Sequence, residues 1–224
     1  MSERSVFACD HPTPVRDVPF GMLRGWWIVF SVAVLPIPLR WCGIPPAWMP
    51  LVCCLTGLAA VFPLRCMDVR ALSLRDVLCS FVSGIALSLL TGGVTLLMKL
   101  GLTALRIPFA EKQTLAVLIA ESSQFGLAVL FFAVCVLTPV LEEVLFRKLL
   151  FGYWRKIHPG SAFWGAVLLF AAVHLFLLGF PGLFLLGCGF QYLYLRRKNL
   201  ACAMIAHGTV NTIAFAANLW MRWI

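Results

Sequence analysis

The chain has 224 residues, of which 62% are hydrophobic and 12% charged, with a mean hydropathy of +0.95. A soluble domain runs about 45–50% apolar and about 25% charged, so this composition excludes a water-soluble globule and points to a membrane protein. Eighteen Lys and Arg against nine Asp and Glu give a formal net charge of +9. Most of the positive residues stand at the ends of apolar runs, which fits orientation in a bilayer with anionic lipid and argues against nucleic acid.

A membrane span needs about 20 apolar residues, so the length accommodates roughly six or seven helices with short connections and leaves no room for a separate soluble domain. Residues 1–24 read as a polar N-terminal tail with Pro12, Pro14 and Pro19, and 25–224 as a single transmembrane domain. The run 26–39 has the length of a signal-peptide core, but no small-residue cleavage site follows and Pro36 and Pro38 interrupt it. It reads as a retained first segment, short or tilted. Further apolar runs cover 47–64, 77–98, 124–151, 161–178, 182–195 and 200–220. A weakly amphipathic stretch spans 99–123, and a turn is expected at Gly179-Phe180-Pro181-Gly182. The expected fold is an all-α polytopic transmembrane bundle of about seven spans with an intramembrane active site.

With a cytoplasmic N-terminus, the inward connections carry Arg65/Arg70/Arg75, Arg155/Lys156 and Arg196/Arg197/Lys198, which satisfies the positive-inside rule. Nine cysteines are scattered, mostly within apolar runs, with no C-x-x-C, and read as small hydrophobes. No internal repeat and no inverted pair of broken helices is visible, which weighs against a proton-coupled transporter.

Ionisable groups inside a span are costly, so each is a functional candidate. The run 124–151 contains Glu142, Glu143 and Arg147. On a helix Glu143 and Arg147 are four apart and share a face, whereas Glu142 is turned about 100° away. This predicts an ion pair between Glu143 and Arg147 and leaves Glu142 free to meet another group. At about 1.5 Å per residue, Glu142, His174, His207 and Asn211 lie roughly 20, 27, 14 and 20 Å from the basic boundary, depths that tilted helices bring together. Phe170 is one turn from His174 on the same face, and His207 and Asn211 are likewise four apart.

A carboxylate and an imidazole can hold and deprotonate a water. A second imidazole and an amide N–H can stabilise the oxyanion of a tetrahedral intermediate. Such a set hydrolyses an acyl bond without a covalent intermediate.

Glu-Glu-x-x-x-Arg at 142–147, Phe-x-x-x-His at 170–174 and His-x-x-x-Asn at 207–211, with Pro139 ahead of the first, resemble the three motifs of the CAAX protease and bacteriocin-processing family. These are glutamate intramembrane endopeptidases related to the type II CAAX prenyl endopeptidase. The resemblance covers about 124–218. It implies an all-helical fold, a site open to the cytoplasmic side, and peptide hydrolysis with no metal or cofactor. Carried over, Glu142 and His174 activate the water and His207 and Asn211 form the oxyanion site. Glu143, Arg147 and Phe170 support them. The implied partner is a peptide or protein substrate, prenylated or otherwise membrane-associated. The small size and the absence of large extramembrane loops point to a prokaryotic plasma membrane.

Two other readings of the same residues stand beside this one. A zinc metalloprotease could use Glu142, His174 and His207 as ligands, but the paired histidines of H-E-x-x-H are absent. A non-catalytic membrane module, serving bacteriocin immunity or as a partner scaffold, would use the polar groups to join helices.

Overall fold

The computed structural model describes residues 18–59, 69–109 and 114–223, and these contain helices and turns only. Helix α1 (Val18–Ala33) is followed by α2 (Pro36–Trp41), a 3₁₀ turn (Pro46–Trp48) and α3 (Met49–Ala59). After α4 (Leu74–Ala104) and α5 (Thr114–Glu121) comes a continuous helical rod, Gln124–Ile157. The rod contains α6 (Gln124–Phe132), α7 (Thr138–Glu143) and α8 (Gly152–Ile157), joined by two π-helical segments, Ala133–Leu137 and Val144–Phe151. Helices α9 (Pro159–Ala172), α10 (Phe180–Arg197) and α11 (Leu200–Met221) complete the bundle.

Among the described residues four helical stretches are long and apolar enough to cross a membrane: Leu23–Trp41, Leu74–Ala104, Gln124–Ile157 and Leu200–Met221. Pro46–Ala59 and Pro159–Ala172 are shorter apolar helices. This is the expected helical membrane bundle, in which α9 is too short to cross alone. The protein is an integral membrane protein. Several boundaries differ from the sequence reading.

Helix α1 starts at Val18, inside the stretch read as tail, because Pro19 falls in its first turn, where a proline's missing N–H costs nothing. The second apolar run begins with the 3₁₀ turn and enters α-helix at Met49, and its end at 60–64 lies outside the described residues. Helix α4 extends past both ends of its apolar run. At its start Ser73 and Asp76 form a capping box, each side chain bonding the other's backbone N–H, which satisfies two of the orphan donors of the first turn. The expected turn at 179–182 lies instead at 173–179, since Pro181 occupies the first turn of α10, where its missing N–H costs nothing.

Buried apolar residues of the rod, α9, α10 and α11 form the main core around Phe146, Phe170, Phe190 and Ala206. Helices α4 and α11 approach closely because Gly84 has no side chain: a Cβ there would meet the Ala206 carbonyl oxygen at 2.6 Å, the small-residue packing usual between membrane helices.

Candidate functional site

The site is organised by α7, a six-residue α-helical segment carrying Glu142 and Glu143 between two π-helical segments. Pro139 accounts for a key feature of the first. In this segment the Thr138 N–H bonds the Ala133 carbonyl, an i→i+5 register. The next donor in that register, for the Val134 carbonyl, would be residue 139, and a proline has no N–H to give. The orphaned oxygen is satisfied from another helix: Asn211 Nδ2 donates to Val134 O at 2.8 Å. One turn earlier on α11, Gly208 lets the backbones meet, since a Cβ there would stand 2.9 Å from the Cys135 carbonyl oxygen. Asn211 is thus tied by one amide proton to the rod, leaving its second N–H and its oxygen for other partners.

His207, on the same face of α11, is 4% exposed and lies between the two glutamates. Its Nδ1 is 2.8 Å from Glu143 Oε1, and its Nε2 is 3.8 Å from Glu142 Oε2. An ionised carboxylate can only accept, so the shared proton sits on Nδ1. The ring stacks on Phe190, centroids 4.6 Å apart at 17°, which fixes its plane.

Glu143 is fully buried, and its second oxygen lies 3.1 Å from Arg147 Nε. The alignment is not that of a hydrogen bond, so this contact is coulombic. Arg147 is 1% exposed and its Nη2 donates to the Gly187 carbonyl at 3.4 Å. Its guanidinium also lies over the Phe170 ring at 4.7 Å and the Phe190 ring at 5.5 Å, a cation–π arrangement of the kind that substitutes for hydration around a buried cation. The result is a continuous chain of Arg147, Glu143, His207 and Glu142.

Glu142 differs from its neighbour. Its side chain is 22% exposed, while Oε2 is buried and accepts no hydrogen bond. It therefore has one edge toward His207 and another toward an accessible side.

His174 does not lie within a helix, as the apolar run suggested. Helix α9 ends at Ala172, and the next turn includes Leu175 in the left-handed region at φ 50°, a conformation that costs a branched side chain about 1–3 kcal/mol. The imidazole is exposed, and its Nδ1 bonds the Phe170 carbonyl at 2.7 Å. A carbonyl can only accept, so Nδ1 carries the proton and Nε2 of the neutral ring has a free lone pair. Phe170 touches both imidazoles edge-on, with centroids 5.0 Å from His174 and 5.9 Å from His207. Among the described residues no hydrogen bond or ion pair joins Glu142 to His174, and no three His, Cys, Asp or Glu side chains are grouped to hold a metal ion.

Gly187, Phe190 and Gln191 on α10 were not among the sequence candidates. Gly187 lets Phe170 close in, as a Cβ would meet Val167 and Phe170 at 3.1 and 3.2 Å. Gln191, four residues on, is 1% exposed, and neither of its amide atoms has a partner among the described residues. A glutamine inside an apolar run was the available signal.

Against this geometry stand the comparisons with known proteins. No curated protein and no solved structure matches the chain. Residues 124–213, the stretch that carries all three motifs, match the family model described as type II CAAX prenyl endopeptidase Rce1-like, a family of membrane proteases. Over those residues the chain is similar to the type II CAAX prenyl endopeptidases, which supports the resemblance read from the motifs.

Proposed function

We propose that the protein is an intramembrane endopeptidase that hydrolyses a peptide bond with a water activated by Glu142 and His174, without a metal. The observation that carries this reading is the chain Arg147–Glu143–His207–Glu142, which runs from a fully buried ion pair to a carboxylate with one edge at His207 and another accessible. The 22% exposure lies on the side chain's other edge, away from the buried Oε2, and that is the edge a water can meet.

In the proposed reaction Glu142 takes a proton from this water as its oxygen attacks the scissile carbonyl carbon. The lone pair on His174 Nε2 orients the same water. The carbonyl oxygen becomes an oxyanion, and His207 as imidazolium, backed by Glu143, donates to it from Nε2. The second N–H of Asn211 adds to that stabilisation, a term worth about 3–4 kcal/mol per donor in hydrolases. As the C–N bond breaks, the proton held by Glu142 passes to the leaving amine. Arg147 and Phe170 hold the pair in place without touching substrate.

The substrate is a peptide or protein entering from the cytoplasmic side, prenylated or otherwise membrane-associated, in a prokaryotic plasma membrane. Supporting that side is the placement of the basic residues: Arg197 of α10 pairs with Asp76 of α4 at 3.2 Å, and Asn199 bonds the Arg70 backbone in both directions. The test is cleavage of a peptide library, prenylated and unprenylated, by detergent-purified protein with and without a strong chelator. Product that persists with chelator supports the reading. Cleavage abolished by chelator and restored by zinc overturns its metal-free part, and no cleavage of any peptide by folded protein overturns the protease.

A further inference from the structure

At the basic end of the bundle, away from the glutamates, α4 and α10 border an open cavity of about 560 Å³. Its size lies within the range of about 300–1,000 Å³ typical of small-molecule sites. Arg75 from the first turn of α4 and Arg196 and Arg197 from the last turn of α10 line its mouth. Asp76 pairs with Arg197 at 3.2 Å, so one of the three guanidinium groups is neutralised. Arg75 and Arg196 are exposed, and neither has a carboxylate within ion-pair distance among the described residues. Arg196 instead lies 6.0 Å from the Tyr192 ring centroid. The lining therefore has an excess of about two positive charges.

The rest of the lining has the opposite character. Leu78 and Val82 on α4 and Tyr192 on α10 are 54%, 62% and 57% exposed, along two helices of a membrane-embedded bundle. A ligand matching this surface has an anionic head at the arginines and apolar chains that run down the groove toward the hydrocarbon. A free phosphate would satisfy the arginines and leave the apolar walls bare.

We infer that the cavity between α4 and α10 binds one anionic phospholipid, its phosphodiester held by Arg75 and Arg196 and its acyl chains lying against Leu78 and Val82. Basic pockets between membrane helices bind anionic headgroups in this way, each arginine near the surface contributing roughly fivefold in affinity. The site is independent of the proteolytic reading, since no residue of the glutamate cluster takes part.

The experiment is a native mass spectrometry titration of the full chain with phosphatidylglycerol, phosphatidylcholine and inorganic phosphate. Wild type is expected to retain one phosphatidylglycerol in preference to phosphatidylcholine, with inorganic phosphate competing poorly. Arg75→Gln and Arg196→Gln should each weaken retention roughly fivefold and the double variant roughly 30-fold, while the corresponding Lys variants keep most of it. Arg40→Gln, an exposed arginine on α2 outside the cavity, is the control for general charge and should change nothing. Thermal unfolding in phosphatidylcholine nanodiscs establishes that each variant is folded. Equal retention of the two lipids overturns the inference, as does an Arg40→Gln loss matching that of Arg75→Gln. Full competition by inorganic phosphate assigns the cavity to a soluble anion and likewise overturns it.

Discussion

Arg147 and Glu143 are the most deeply buried charges in the bundle, and each depends on the other. Taking two ions out of water costs several kcal/mol apiece, so the pair contributes little net stability against an apolar pair of the same volume. Removing one partner is different, because the other is left buried and uncompensated. Arg147→Met is expected to destabilise the protein by about 3–5 kcal/mol, read from thermal or denaturant unfolding. Adding Glu143→Gln to it should recover a large part of that loss, since no uncompensated carboxylate then remains. A double variant that loses the sum of the two single losses would mean that the pair is not coupled. The i, i+4 spacing made this pair legible in the sequence, because both side chains must share a helix face. The contact between Glu143 and His207 was not legible. It joins residues 64 apart in sequence, and nothing in local periodicity says which of two adjacent carboxylates an imidazole on another helix will meet.

Segment geometry adds what a regular helix cannot supply. The π turn before α7 widens the rod where α11 crosses it, as π turns often do at functional sites. Pro139 removes the donor that would close that turn, so Asn211 is recruited to Val134 O. Asn211→Leu should therefore leave a buried carbonyl unsatisfied and cost about 1–3 kcal/mol. In a Pro139→Ala background the restored N–H can take over that carbonyl, so the same substitution should cost measurably less. A double-mutant cycle on unfolding free energy checks this, and strict additivity would contradict it. Pro139 inside an apolar run pointed to a local disturbance in the helix, but its consequence depended on which residue of which neighbour lay opposite. The exit of His174 from α9 was hidden for a related reason. Val173, Leu175 and Leu177 continue the apolar pattern of the helix, and only the backbone conformation of Leu175 reverses the chain.

For the whole molecule, hydropathy and the basic clusters carried the fold class and the grouping of helix ends, since burial in lipid constrains composition more than water does. The number of crossings was less legible. Helix α9 has 14 residues, about 21 Å by rise, against a hydrocarbon core about 30 Å thick. Length of an apolar run does not fix length of helix when Pro, Gly or a left-handed residue ends it early. Helix α4, with 31 residues, runs about 46 Å and must carry its two ends to opposite faces. Single cysteines introduced at Leu105 and Lys198 in a cysteine-free variant should react with an impermeant maleimide from opposite sides of the membrane, Lys198 from the cytoplasmic side. Labelling of both from one side would contradict this arrangement.

The two glutamates have different tasks in the proposed reaction, and that difference is what a direct kinetic comparison measures. Glu142→Gln keeps the shape of a partly exposed side chain while removing its basicity, and loss of a general base typically costs about 10²–10⁴-fold in rate. With peptide cleavage and thermal unfolding followed on the same preparations, Glu142→Gln is expected to lose at least about 100-fold in kcat/KM with an unchanged Tm. Cleavage within about twofold of wild type by folded Glu142→Gln protein would contradict the role given to this carboxylate, and with it the proposed mechanism.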